Sequence, residues 1–247
     1  MERPWQDLVL ALPIAVATGG AAGFAVGNPL SAAISALALY AVAALLILRG
    51  IPGAHPHGGL GPADRVTLAR LVVAVPIGAL LLSGVPATQH ARWLIALMGT
   101  LALALDGVDG WVARRTGTAT RFGARFDMEL DAALLLVLSV LAWRIGPVGP
   151  WVIGIGALRY LFVAAGHFEP RLTGDLPEDQ LRRKTVCVLQ GVALIIAVAP
   201  VGVPGTQRVI AALTFGILLW SFAVDTGWLL KNNTLARPAQ TARLSDL

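Results

Sequence analysis

Apolar runs of about 20 residues, parted by short polar or Gly/Pro-rich breaks, recur along the whole chain. They predict eight helices, at Leu8 to Gly27, Leu30 to Leu48, Val66 to Ser83, Ala91 to Arg115, Gly123 to Trp143, Trp151 to Gly166, Arg183 to Ala199 and Gln207 to Leu230. Each is close to the ~20 residues that cross ~30 Å of hydrocarbon. The runs are too long, and alternate too little, for barrel strands. The first lacks a small-x-small cleavage site after it and reads as a retained helix. The segment GIPGAHPHGGLGP, Gly50 to Pro62, is dense in Gly and Pro and reads as a linker. The pattern therefore divides the chain into an N-terminal helix pair (1–50), a linker (51–63), a six-helix core (64–231) and a tail (232–247).

Composition agrees with an all-α polytopic membrane protein. The 247 residues are 56% hydrophobic and 13% charged, with a mean hydropathy of +0.73. A soluble domain carries about 25% charged residues. That deficit excludes a water-soluble enzyme, a disordered chain and a coiled coil, and 27 glycines without a three-residue period exclude collagen. The single Cys187 allows no internal disulfide. A pI near 10.3 would point to nucleic acid in a soluble protein, but in a membrane protein basic loops follow the positive-inside rule.

An even number of spans puts both termini on one side. Apart from Arg70 and Arg159, which lie deep within helices, all basic residues but Arg92, Arg144 and Arg208 fall on that side. The bias predicts an inner-membrane protein with both termini in the cytoplasm.

The stretch DGVDGWVARRTGTATRFGARFDMELD, Asp106 to Asp131, lies where the fourth helix meets the cytoplasm and the fifth begins. Asp106 and Asp109 share one helix face, and Asp127 and Asp131 share a face of the next. Gly117 reads as a helix stop and Thr118 or Thr120 as the next cap. The short turn folds the helices antiparallel, so that the carboxylates converge. A like-charged pair ~4 Å apart costs about 4 kcal/mol at an effective dielectric near 20. Either some of the group is protonated or divalent cations sit within it. An all-oxygen donor set favours magnesium first and manganese second. Gly110, Ala113 and Gly123 leave room for a ligand against the backbone, and Arg114 is placed to neutralise a phosphate. Glu129 points about 180° away and falls outside the shell.

These residues fit D-x2-D-G-x2-A-R-x8-G-x3-D-x3-D at every fixed position: Asp106, Asp109, Gly110, Ala113, Arg114, Gly123, Asp127 and Asp131. The chain thus resembles the CDP-alcohol phosphatidyltransferases over about Asp64 to Leu230, and the first two helices look like an addition. The resemblance implies transfer of a phosphatidyl group from a CDP-linked lipid, usually CDP-diacylglycerol, to an alcohol with release of CMP. It implies two metal ions held by Asp106, Asp109 and Asp127, with Asp131 nearby as general base. Gly110, Ala113, Gly123 and Arg114 would receive the donor, and the partners would be the CDP-alcohol, a small alcohol, membrane lipids and a second copy in a homodimer, not nucleic acid. A shorter match to P-N-x-x-T-x-x-R places Thr67 and Arg70 in register as donor-binding residues, with Asp64 in place of Asn and read as a helix cap.

The acceptor is less legible. Arg182, Arg183 and Lys184 open the seventh helix against its dipole, either for topology or to hold an acceptor phosphate. Arg159 lies within the sixth span, about 9 residues or ~13 Å from its cytoplasmic end. Snorkelling, an ion pair or an acceptor pocket each explain it. Asp225, near the end of the last helix, reads as a snorkelling side chain. Met128 and Ala132 depart from the Pro and Lys of phosphatidylglycerophosphate-type members, so choline, serine, glycerol phosphate and inositol phosphate all stay open. A cation transporter would also carry membrane carboxylates, but spread over several spans near mid-membrane.

Overall fold

The computed structural model describes residues 4–50, 62–116, 121–172 and 180–244. They form eight helices: α1 (Pro4–Ala25), α2 (Pro29–Gly50), α3 (Pro62–Ser83), α4 (Gln89–Thr116), α5 (Arg121–Ile145), α6 (Ile153–Phe168), α7 (Gln180–Val198) and α8 (Pro204–Leu244). No strand occurs among the described residues. Every expected span has its helix, and α8 runs on to Leu244, into the segment expected as a tail. α1, α2, α3 and α8 open on proline, whose fixed φ suits a first helical position and whose missing N–H costs nothing there. Gly84, at φ +80°, closes α3 in the left-handed region that glycine enters without strain.

Six helices (α1, α2, α3, α4, α6 and α8) are long and apolar enough to cross a membrane by themselves. α5 and α7 are the exceptions, and they carry Asp127, Glu129 and Asp131 or Arg182, Arg183 and Lys184 in their N-terminal halves. Their apolar remainders, with Leu138, Leu141, Leu194 and Val198 almost wholly buried, form the centre of the bundle together with Ile77 and Leu80 of α3 and Ile95 of α4. Large apolar side chains such as Leu10, Phe24, Leu97, Leu161 and Leu213 stay on the outside, as hydrocarbon contact requires.

The N-terminal pair packs closely. A Cβ on Gly19 would lie 2.4 Å from that of Ala36, and one on Gly23 2.4 Å from that of Ala32. Small residues four apart on both helices thus bring the backbones together. The buried Tyr40 hydroxyl donates to the Leu8 carbonyl at 2.8 Å. Both helices pack on α3 through a second core of Leu8, Ala15, Tyr40, Leu68, Leu71 and Leu130.

The bundle end that bears Gly84 is tied by side chains that cap helix C-termini. Asn28 donates to Ser83 O at 2.9 Å and Arg144 to Leu81 O at 3.3 Å, both on α3. Arg92 donates to Val198 O and Ala199 O at 2.8 and 3.0 Å, and Gln207 to Ala199 O at 2.7 Å, at the end of α7. Arg208 donates to Pro147 O, just beyond α5, at 2.6 Å. The three arginines that depart from the charge bias are thus each bound to carbonyls at the negative end of a helix dipole.

Candidate active site

At the other end of the bundle, α3, α4 and α5 bring four charged side chains together. Arg70 is 1% exposed. Its Nη1 donates to Asp106 Oδ1 at 3.1 Å and also to Asp127 Oδ1, while Nη2 donates to Asp131 Oδ1. Asp106 comes from near the end of α4, and Asp127 and Asp131 from successive turns of α5. One oxygen from each of the three carboxylates lies within 4.8 Å of the others. Antiparallel α4 and α5 thus deliver their carboxylates to one place, as the spacing of the aspartates required.

One guanidinium against three carboxylates leaves this group with two formal negative charges when all three are ionised. The fixed planar fork of arginine, with five N–H donors, explains how one side chain meets three oxygen acceptors at once. The residual charge and the all-oxygen donor set fit a hard divalent cation. Family resemblance placed Arg70 with the donor; its partnership with the carboxylates was not foreseen. The partners stand 36, 57 and 61 residues away along the chain, and only its register with Thr67 marked it.

Asp64 and Thr67 precede Arg70 on α3 at intervals of three, and both are buried. α3 begins at Pro62, so Asp64 lies inside the first turn rather than before it, where a carboxylate still meets the positive end of the dipole. Gly123, near the start of α5, is half-buried. Asp109, Gly110, Ala113 and Arg114 belong to the last turns of α4, and their side chains lie outside the described residues, as do Gly117, Thr118 and Thr120. Cys187, on α7, is close enough to Asp131, Asp106 and Asp127 to interact with their charges.

The basic residues proposed for the acceptor separate into three settings. Arg159 Nη2 donates to Glu129 Oε1 at 2.5 Å, linking α6 to α5. Arg182 donates to the Ser221 carbonyl at 2.9 Å, to its Oγ at 2.6 Å and to Asp225 Oδ1, and lies 5.9 Å from the centre of the Trp220 ring. Arg183 Nη1 lies 3.7 Å from the same Asp225 oxygen. Lys184 is exposed. Asp225 therefore does not snorkel: it is buried between α7 and α8 because two arginines neutralise it there. Ser221 and Asp225 were not singled out from the sequence as partners of Arg182, although a carboxylate in an apolar helix was a signal of such a pair.

A family model described as CDP-alcohol phosphatidyltransferase matches residues 61–224, from the start of α3 into α8. The chain belongs to the CDP-alcohol phosphatidyltransferase family. It is accordingly a membrane-embedded transferase of phospholipid synthesis that acts on a CDP-alcohol, in a family that uses divalent metal ions. The match leaves α1 and α2 outside. No solved structure matches the chain.

Proposed function

We propose that the enzyme transfers the phosphatidyl group of CDP-diacylglycerol to a small phosphorylated alcohol and releases CMP, on the cytoplasmic face of the inner membrane and as a homodimer. The observation that carries this reading is the convergence of Asp106, Asp127 and Asp131 on Arg70 inside the region that the family model matches. The described carboxylates of this cluster gather at one end of the bundle, where a transferase needs them and a transporter does not.

Asp106, Asp109, Asp127 and Asp131 would hold two divalent ions, magnesium or manganese. When bound, the ions supply charge stabilisation to a diphosphate undergoing in-line displacement. The protein's own groups do the rest. The acceptor hydroxyl oxygen attacks the phosphorus that bears the diacylglycerol ester. A new P–O bond forms as the bond to CMP breaks, and CMP carries away the electron pair. The hydroxyl proton passes to an oxygen of Asp131. Arg70 keeps the carboxylate cluster from accumulating three uncompensated charges, and Thr67, Gly110, Ala113, Arg114 and Gly123 receive the cytidine end of the donor. Arg183 and Lys184, with Arg182 braced behind them, present positive charge to the acceptor phosphate, while Arg159 is paired with Glu129.

Purified protein is incubated with CDP-diacylglycerol, magnesium and a panel containing glycerol phosphate, inositol phosphate, serine and choline, and CMP release is followed. Release with a phosphorylated alcohol is expected. No release with any acceptor, in magnesium or manganese, overturns the proposal.

A further inference from the structure

A groove of about 660 Å³ runs between α2, α3 and α5 on the outside of the bundle. Its walls are apolar, from Leu39 and Ile47 on α2, Leu71 and Gly78 on α3, and Leu130 and Val137 on α5. Gly78 permits the close approach of α2, because a Cβ there would lie 2.9 Å from Leu39 Cδ1. Along α5 the groove extends from Arg125 to Val137, ~18 Å at 1.5 Å per residue. Half of a ~30 Å hydrocarbon core is ~15 Å, so the groove has the depth of one leaflet.

Charge is confined to one end. The charged residues of the lining are Arg125 and Glu129. Glu129 is held by Arg159 at 2.5 Å, so Arg125, Glu129 and Arg159 together carry one positive charge. Arg125 is exposed and makes no ion pair or hydrogen bond with another described residue. Arg49, in the last turn of α2 and two residues beyond Ile47, is a further exposed cation at that boundary. An apolar slot one leaflet deep, with positive charge at its headgroup end, is complementary to an anionic diacyl lipid.

We propose that this groove binds one anionic membrane phospholipid, with its phosphate at Arg125 and its acyl chains between α2, α3 and α5. The occupant is a second lipid and not the donor. Arg70, Asp106, Asp127 and Asp131 do not line the groove, although Leu71 and Leu130, next in sequence to Arg70 and Asp131, do. Consecutive helical positions are turned ~100° apart at 3.6 residues per turn, so the groove and the carboxylates that the donor's diphosphate must reach lie on different faces of α3 and α5. The groove also depends on α2, which lies outside the family match.

The test uses the full chain, purified in neutral detergent and melted with increasing phosphatidylglycerol or phosphatidylcholine. Phosphatidylglycerol is expected to raise the Tm by several degrees and phosphatidylcholine much less. Arg125→Ala should raise the phosphatidylglycerol concentration for half the effect roughly fivefold or more, and Arg125→Lys should restore it. Ala133→Trp, which fills the groove, should remove the response. KM for the CDP-lipid should stay unchanged in both the Arg125 and Ala133 variants. Should the tryptophan variant fail to fold, the Arg125 pair decides alone. An unaltered phosphatidylglycerol response in Arg125→Ala overturns the proposal. So does a parallel rise in donor KM, which would make the groove part of the donor site. A changed oligomeric state in Ala133→Trp with its lipid response intact would make the groove an interface between copies, and also overturns it.

Discussion

Two buried arginine–carboxylate groups answer the same electrostatic problem with opposite remainders. Among α3, α4 and α5, one arginine faces three aspartates and the formal charges sum to two negative. Between α7 and α8, two arginines share Asp225 and the sum is one positive charge. A balanced pair would close each site to further ions, because buried charges are stable only when compensated. The imbalance suits the first group to cations and the second to an anion. The proposed reaction, between a metal-bound diphosphate and a phosphorylated alcohol, needs one of each.

The largest expected effect lies in the negative group. Asp106→Asn or Asp127→Asn should lower CMP release by about 100- to 1000-fold, the scale of losing one preorganised electrostatic contact. Activity should stop in excess chelator and return with magnesium or manganese. Calorimetric titration should show weakened magnesium binding in these variants, while Asp225→Asn binds the ion as wild type does. Equal loss of ion binding in Asp225→Asn would erase the contrast between the groups.

Asp131→Asn should lower kcat about 100-fold, a typical general-base effect, with the Kd for the CDP-lipid held within a few-fold. If donor affinity collapses in step with kcat, Asp131 is chiefly a metal ligand.

The positive group divides into a brace and a contact. Arg183→Ala should raise the acceptor KM at least about tenfold, because charge-assisted hydrogen bonds contribute about 1.5–3 kcal/mol. Arg182→Ala should instead lower the melting temperature, since it removes contacts to Ser221 and strands Asp225. Interchange of the two phenotypes would invert the assignment. The smallest effect belongs to Glu129→Gln. Its pair with Arg159 is more than half exposed on the carboxylate side, and exposed pairs contribute at most about 1 kcal/mol. A thermal melt and CMP release should both stay near wild type.

The eight helices were readable in the sequence because hydropathy is local: each run carries its own signal within about 20 residues. The carboxylate site was readable for a related reason. Its turn is short, so Asp106, Asp127 and Asp131 declare their shared faces through spacing alone. Arg70 was placed through its register with Thr67, but its carboxylate partners come from two other helices and no periodicity links them. The same holds for Arg182 with Asp225, 43 residues apart, and for Glu129 with Arg159. Glu129 was excluded from the metal shell by its direction, while its partner required the packing of α6 on α5. The groove was invisible for the deepest reason, being a space between three helices with no residue of its own.

The caps at the far end of the bundle bear on the order in which the protein can be assembled. Synthesis runs from α1 to α8. Asn28 is made before the α3 carbonyl it caps, and Arg92 before the end of α7 more than a hundred residues later. Arg92 must therefore be carried through insertion without its partner, at a cost of about 2.5–3.5 kcal/mol if it lingers at mid-bilayer. Arg144, Gln207 and Arg208 find their carbonyls already made, in the last turn of α3 and just beyond α7 and α5. Each late arrival fastens a helix that preceded it, and the arrival of α7 releases Arg92 from its wait. The rim is thus stitched mostly backwards, and a nascent chain truncated before α7 leaves one open stitch at Arg92.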